Sequence, residues 1–164
     1  MNNLIRKNKE LEIGGIAFGL TSGVITTLGF IVGMESATGS RLAVIAGILT
    51  ISLSDALSDA LGMHLSEESR LDEKSASIWM ISLYTFLAKL LFSLVFLIPV
   101  LSLDLASAVR FSVVFGVLLI MILASIVAYR RKESWLKQSI GNGLLAIVVV
   151  ITSYFLGHIA ARIK

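Results

Sequence analysis

Asp55 and Asp59 stand four residues apart in the apolar run LAVIAGILTISLSDALSDALGM. On a helix that spacing places both carboxylates on one face, a turn apart, with Ser58 and Gly62 on the same side. Even the lower insertion scales charge about 2.5–3.5 kcal/mol for an aspartate at mid-membrane, so two on one face need partners, protonation or a cation. Lys89 interrupts the apolar run LYTFLAKLLFSLVFLIPVL, and Ser22 and Thr26 carry hydroxyls into the first one. With a rise of about 1.5 Å per residue, Asp55 lies ~12 Å and Asp59 ~6 Å from the end of their run at Met63; Lys89 lies ~16 Å from Ile78, and Ser22 ~13 Å from Ile13. Ser22, Asp55 and Lys89 therefore fall near one level, in a polar layer that opens through Asp59. Carboxylates and hydroxyls suit hard or borderline divalent cations such as Mn²⁺ or Fe²⁺, and Met63 and His64 at the mouth would add softer ligands. The candidate metal ligands are thus Asp55, Asp59, Met63 and Ser22, with Lys89, Ser58 and Thr26 as ion-path or charge-partner residues. A plain structural alternative stays open: one aspartate pairs with Lys89 and the other reaches water. Lys89 itself is either half of a buried ion pair of little net stability or a built-in cation that competes with metal or sheds its proton.

The elements that must position these groups follow from hydropathy. Of 164 residues 56% are apolar and 15% charged, a ratio that belongs in a membrane. A hydrocarbon core of roughly 30 Å needs about 20 apolar residues as helix, and five runs qualify: about 13–34, 42–63, 78–103, 111–129 and 140–161. The expected fold is an all-α membrane protein, one domain over 1–164, whose connections are too short to fold separately. The N-terminal MNNLIRKNKE precedes a run too long for a signal peptide and without a small-x-small cleavage site, so it is read as leading into a retained first span. With no cysteine and two histidines, disulfide scaffolds, Cys-ligated metal centres and thiol nucleophiles drop out. No Ser/His, HExxH or paired-aspartate catalytic motif is visible in the spans, which argues against an enzyme. A net charge of +3, with the basic residues scattered at span ends, gives nucleic-acid binding no support.

Orientation is read from the basic residues. One side carries nine, Arg6, Lys7, Lys9, Arg70, Lys74, Arg130, Arg131, Lys132 and Lys137; the other carries four, Arg41, Arg110, Arg162 and Lys164. The positive-inside bias puts the N-terminus in the cytoplasm and the C-terminus outside or in a lumen, and Trp79, Tyr129 and Trp135 fall at the cytoplasmic ends, where amphipathic rings prefer to sit. Gly15, Gly19 and Gly23 recur every four residues in the first span, as do Gly29 and Gly33. Such a stripe lets backbones approach closely in lipid, either within one chain or across a homodimer. After Met63 come His64, Glu67, Glu68, Asp72 and Glu73, a solvated helix end or an electrostatic funnel for cations. His158 is assigned no role, and Asn142 and Tyr154 are expected to hydrogen-bond between helices.

TSGVITTLGFIVG followed by SDALSDALGMHLSEES resembles the vacuolar iron transporter family, whose first two spans typically read N-D-G-x-x-T-x-x-x-x-x-G and A-D-A-L-S-M-A-x-G-E-Y-x-S-x-x-S. The resemblance continues through LYTFLAKLLFSLVFLIPVL, YRRKESWLKQSIGNGLLA and VVVITSYFLG, nearly the whole chain. It implies five-helix protomers that form a dimer and export Fe²⁺, often Mn²⁺, from the cytosol, generally in exchange for protons. The metal is then substrate, with no tightly bound cofactor. Asp55, Ser58, Gly62, Ser66 and Ser69 keep the pattern. Ser22 stands where the family has a carboxylate, Asp59 where it has methionine, Met63 where it has glutamate, and Lys89 where it usually has an apolar residue. A glutamate-rich domain found in many members between spans two and three is absent. The expectation is a secondary transporter in a prokaryotic plasma membrane, with membrane lipid, a second copy, divalent metal ions and protons as partners. The alternatives are a non-transporting scaffold that retains the fold, or a transporter of another cation such as Mg²⁺ or Na⁺.

Overall fold

The computed structural model describes the backbone of residues 2–69 and 75–163, and the side chains of 12–69 and 77–163. Arg6, Lys7, Lys9, Arg70, Asp72, Glu73, Lys74 and Lys164, used above for orientation and for the acidic entrance, lie outside the described side chains. Among the described residues six helices follow one another: α1 (Asn2–Thr38), α2 (Arg41–Glu68), α3 (Ser75–Val95), α4 (Leu97–Ser102), α5 (Leu105–Arg130) and α6 (Trp135–Ala161). No strand occurs among the described residues. Five stretches of the described residues are long and apolar enough to cross a membrane: Glu12–Thr38, Arg41–Glu68, Ser77–Ser102, Leu105–Arg130 and Trp135–Ala161. By length and composition this is an integral membrane protein.

The third stretch is two helices because of its single proline. Pro99 has no N–H to give to the Val95 carbonyl, so the chain breaks at Phe96 and resumes as α4. The other helices run past the apolar runs that announce them, because caps set helix ends where hydropathy does not. Gly39, at φ +60°, turns the chain out of α1. Ser40 caps α2 by accepting from the Ala43 N–H at 3.3 Å, and Asp104 caps α5 by accepting from the Ser107 N–H at 2.9 Å. Residues 105–110 and 135–139, expected in connections, are therefore helical.

α1 is the central helix and touches α2, α3, α5 and α6. Half of its apolar window is buried, against 11% for α6. Leu20, Val24, Leu28 and Ile31 of α1 form the core with Val44 and Ile48 of α2, Phe96 and Val100 around the break, Ile120 of α5 and Ala146 of α6. The outer faces carry Leu49, Leu53, Leu57, Leu61 and Leu65 on α2 and Val114, Leu118 and Ile122 on α5, all exposed. A continuous apolar exterior of this kind fits lipid as the surrounding solvent.

The glycine stripe of α1 is filled by α3 of the same chain. A Cβ at Gly15 would lie 2.9 Å from the Ile81 carbonyl oxygen, one at Gly23 would lie 2.9 Å from that of Lys89, and one at Gly19 would overlap that of Thr85. This contact brings the α3 backbone against α1, with Lys89 beside Gly23. Farther along α1, Gly29 meets Val149 and Ser153 of α6.

Candidate functional site

α1, α2 and α3 converge on one charged cluster. Lys89 is 1% exposed, and its Nζ lies 2.5 Å from Asp59 Oδ2, 2.5 Å from Asp55 Oδ2 and 2.9 Å from Ser22 Oγ. Ser22 in turn donates to Asp59 Oδ2 at 2.7 Å, and its backbone carbonyl accepts from the Thr26 hydroxyl at 2.7 Å. An ammonium has three N–H donors and no acceptor, and three oxygens surround this one. Two are hydrogen-bonded to it. Asp55 Oδ2 approaches in an ion contact without hydrogen-bond geometry and has no other partner among the described residues. Asp55 and Asp59 keep 28% and 21% side-chain exposure, so the cluster is sealed on its lysine side and open on its carboxylate side.

The sequence reading assigned one aspartate to Lys89 and the other to water, or a metal to both. In the structure both carboxylates face Lys89, whose ammonium occupies the point between them. Among the described residues no three His, Asp or Glu side chains gather at one place. Met63 is half-buried, one turn beyond Asp59. Ser58 and Gly62 turn to the exposed face of α2. The Thr26 hydroxyl is spent on the Ser22 backbone carbonyl.

His64 lies toward the α2–α3 connection, where Ser82 Oγ is 3.3 Å from its Nδ1 and the Trp79 ring packs at 4.4 Å between centroids. Glu67 is buried and partnered, whereas Glu68 is exposed. Only Glu68 of these three presents an open charge at this end. Asn142 bonds the Gln138 carbonyl within its own helix at 2.8 Å, not another helix as expected. The Tyr154 ring stacks on His158, and its backbone carbonyl accepts from Ser36 of α1 at 3.2 Å. Two clefts between α1, α5 and α6, of about 360 and 800 Å³, contain no cluster residue. The cluster is a packed contact between helices, outside both clefts.

Further polar residues were not singled out by sequence. Ser82, Thr85 and Ser93 are buried on α3 with Lys89, at spacings of three and four. Thr85 donates to the Gly15 carbonyl at 3.2 Å and Ser93 to that of Gly23 at 3.4 Å, so this stripe binds the α1 backbone. The signal was present as a helical period of hydroxyls around Lys89, hidden by the hydropathy of the residues between. No protein-family model, curated protein or solved structure matches the chain.

Proposed function

We propose that the protein is a secondary transporter that exchanges divalent transition metal ions, Fe²⁺ or Mn²⁺, for protons, with Asp55, Asp59 and Ser22 as the site where they compete. The carrying observation is the Lys89 ammonium held between two carboxylates inside the spans. Intramembrane ionisable groups in contact mark ion pathways by default. The oxygens that hold the ammonium suit a hard or borderline cation, and the partial exposure of both aspartates gives that cation an approach.

A divalent ion on Asp55 and Asp59 displaces Lys89. Metal and protons exclude each other at the two carboxylates, which couples the two fluxes. Relative movement of α1 and α3 against α2 would supply alternating access. The motif likeness to vacuolar iron transporters supports the ion class and export from the cytosol, and the basic-residue bias supports a cytoplasmic N-terminus. A second copy is part of the proposal: Thr50, Ser54, Ser58 and Gly62 form a small-residue stripe on the exposed face of α2, the kind of surface helices share in lipid.

The test is uptake of Fe²⁺ and Mn²⁺ by sealed proteoliposomes, with and without a pH gradient, for the native chain and Asp55→Asn/Asp59→Asn. Flux that moves protons and vanishes in the variant is expected. A scaffold that retains the fold is the second reading, favoured by how completely Lys89 is bonded inside the chain. It predicts no flux for either ion in the native chain, and a loss of stability in the variant, which leaves Lys89 buried without its carboxylates.

A further inference from the structure

Hydroxyls on helices in lipid commonly satisfy themselves on the carbonyl a turn earlier, and Thr26, Thr50, Ser54, Ser82, Ser125 and Thr152 do so here. Thr27 and Ser52 do not. Each is 1% exposed, and neither hydroxyl has a hydrogen bond among the described residues. Buried polar groups without partners are uncommon and call for an explanation. The Ser22–Asp59 hydrogen bond on one side, and the Phe30 ring against Gly47 on the other, fix the antiparallel register of α1 and α2. Thr27 and Ser52 lie midway between these contacts and so share one level. Ser52 is also one turn from Asp55, whose Oδ2 has no hydrogen bond and meets the Lys89 ammonium alone.

Charge points to what these oxygens take. Lys89 with Asp55 and Asp59 has a formal balance of one negative charge, and an uncompensated charge among packed helices is unfavourable. The groups without a hydrogen bond are two hydroxyls and a carboxylate oxygen whose one contact is the Lys89 ammonium, all oxygen with no nitrogen or sulfur, a donor set for a hard cation. We propose that Thr27, Ser52 and Asp55 form a second site, for a small monovalent cation of the sodium class, on the α1–α2 turn side of Lys89. Its occupant neutralises the cluster while Lys89 stays charged. The site does not depend on metal transport, since it is a property of the resting charge balance.

Thermal unfolding of the purified full chain in detergent, at fixed pH and ionic strength in sodium, potassium or choline chloride, tests it. A saturable rise in Tm with sodium, absent in choline, is expected, and Thr27→Val/Ser52→Ala should move the sodium midpoint up about tenfold or more. Equal Tm in the three salts overturns the proposal, as does a double variant with an unmoved midpoint. A rise produced by acid alone, indifferent to sodium, also overturns it and assigns the compensating charge to a proton. If the double variant does not fold, equilibrium binding of radiosodium to the native chain and to Asp55→Asn decides: no saturable binding by the native chain, or equal binding by both, refutes the site.

Discussion

Replacing Lys89 with methionine keeps the length and much of the volume of the side chain and removes only its charge. Lys89 is 1% exposed and is the cation facing Asp55 and Asp59. Its loss leaves two carboxylates together at the centre of the α1–α2–α3 contact. Breaking a buried pair from one side costs about 3–5 kcal/mol, and the 28% and 21% exposure of the aspartates places this case toward the lower end, about 3 kcal/mol. Asp59→Asn should cost less, because Lys89 keeps Asp55 and Ser22. Lys89→Met/Asp59→Asn should recover part of the single Lys89 loss, with a coupling of about 1–3 kcal/mol. Reversible denaturant unfolding in detergent, followed by helical circular dichroism, measures all four corners of the cycle. Additive effects, or Lys89→Met as stable as the native chain, would refute the reasoning that the lysine holds the two carboxylates together.

Gly19→Ala puts a methyl into the Thr85 carbonyl and should destabilise by about 1–3 kcal/mol through separation of α1 and α3; Gly14→Ala, which meets nothing within 4 Å, should be neutral or mildly stabilising in the same melts. The Ser107 backbone N–H holds the Asp104 carboxyl below the usual aspartate value. A group depressed in the folded state stabilises above its unfolded pKa, and that contribution is lost as pH falls through the folded one. Acid melts should therefore show native and Asp104→Asn converging as pH drops below the ordinary aspartate range, and curves that stay parallel to pH 2 would refute the cap. Ser22→Ala removes a donor to Asp59 and an acceptor from Lys89. It should lower stability by about 1–3 kcal/mol and weaken the metal dependence of proteoliposome flux; an unchanged dependence would exclude Ser22 from the ion site.

The candidate cluster was legible because its members are rare where they stand. A lysine and two aspartates within apolar runs announce themselves at any register, and a constant rise per residue puts Ser22, Asp55 and Lys89 near one depth. Depth alone did not say which aspartate meets the lysine, because azimuth is decided by packing. Met63 has a suitable type and spacing on α2, but the sequence carries no information on whether its side chain turns toward α1 and α3. Thr27 and Ser52 were passed over for a related reason. A hydroxyl in a span is ordinary until its neighbours show that it lacks the usual carbonyl partner.

The sequence by itself determined five membrane-crossing helices, their order and the polar groups they carry into lipid, because hydropathy and helical rise are local properties of a run of residues. Tertiary structure decided that α1 lies at the centre, that its glycine stripe is closed by α3, and that both carboxylates converge on Lys89. Those outcomes depend on which faces meet when five helices pack at once. That choice sums many weak contacts, such as Gly19 against the Thr85 backbone and Leu28 against Gly116, and no single segment encodes it.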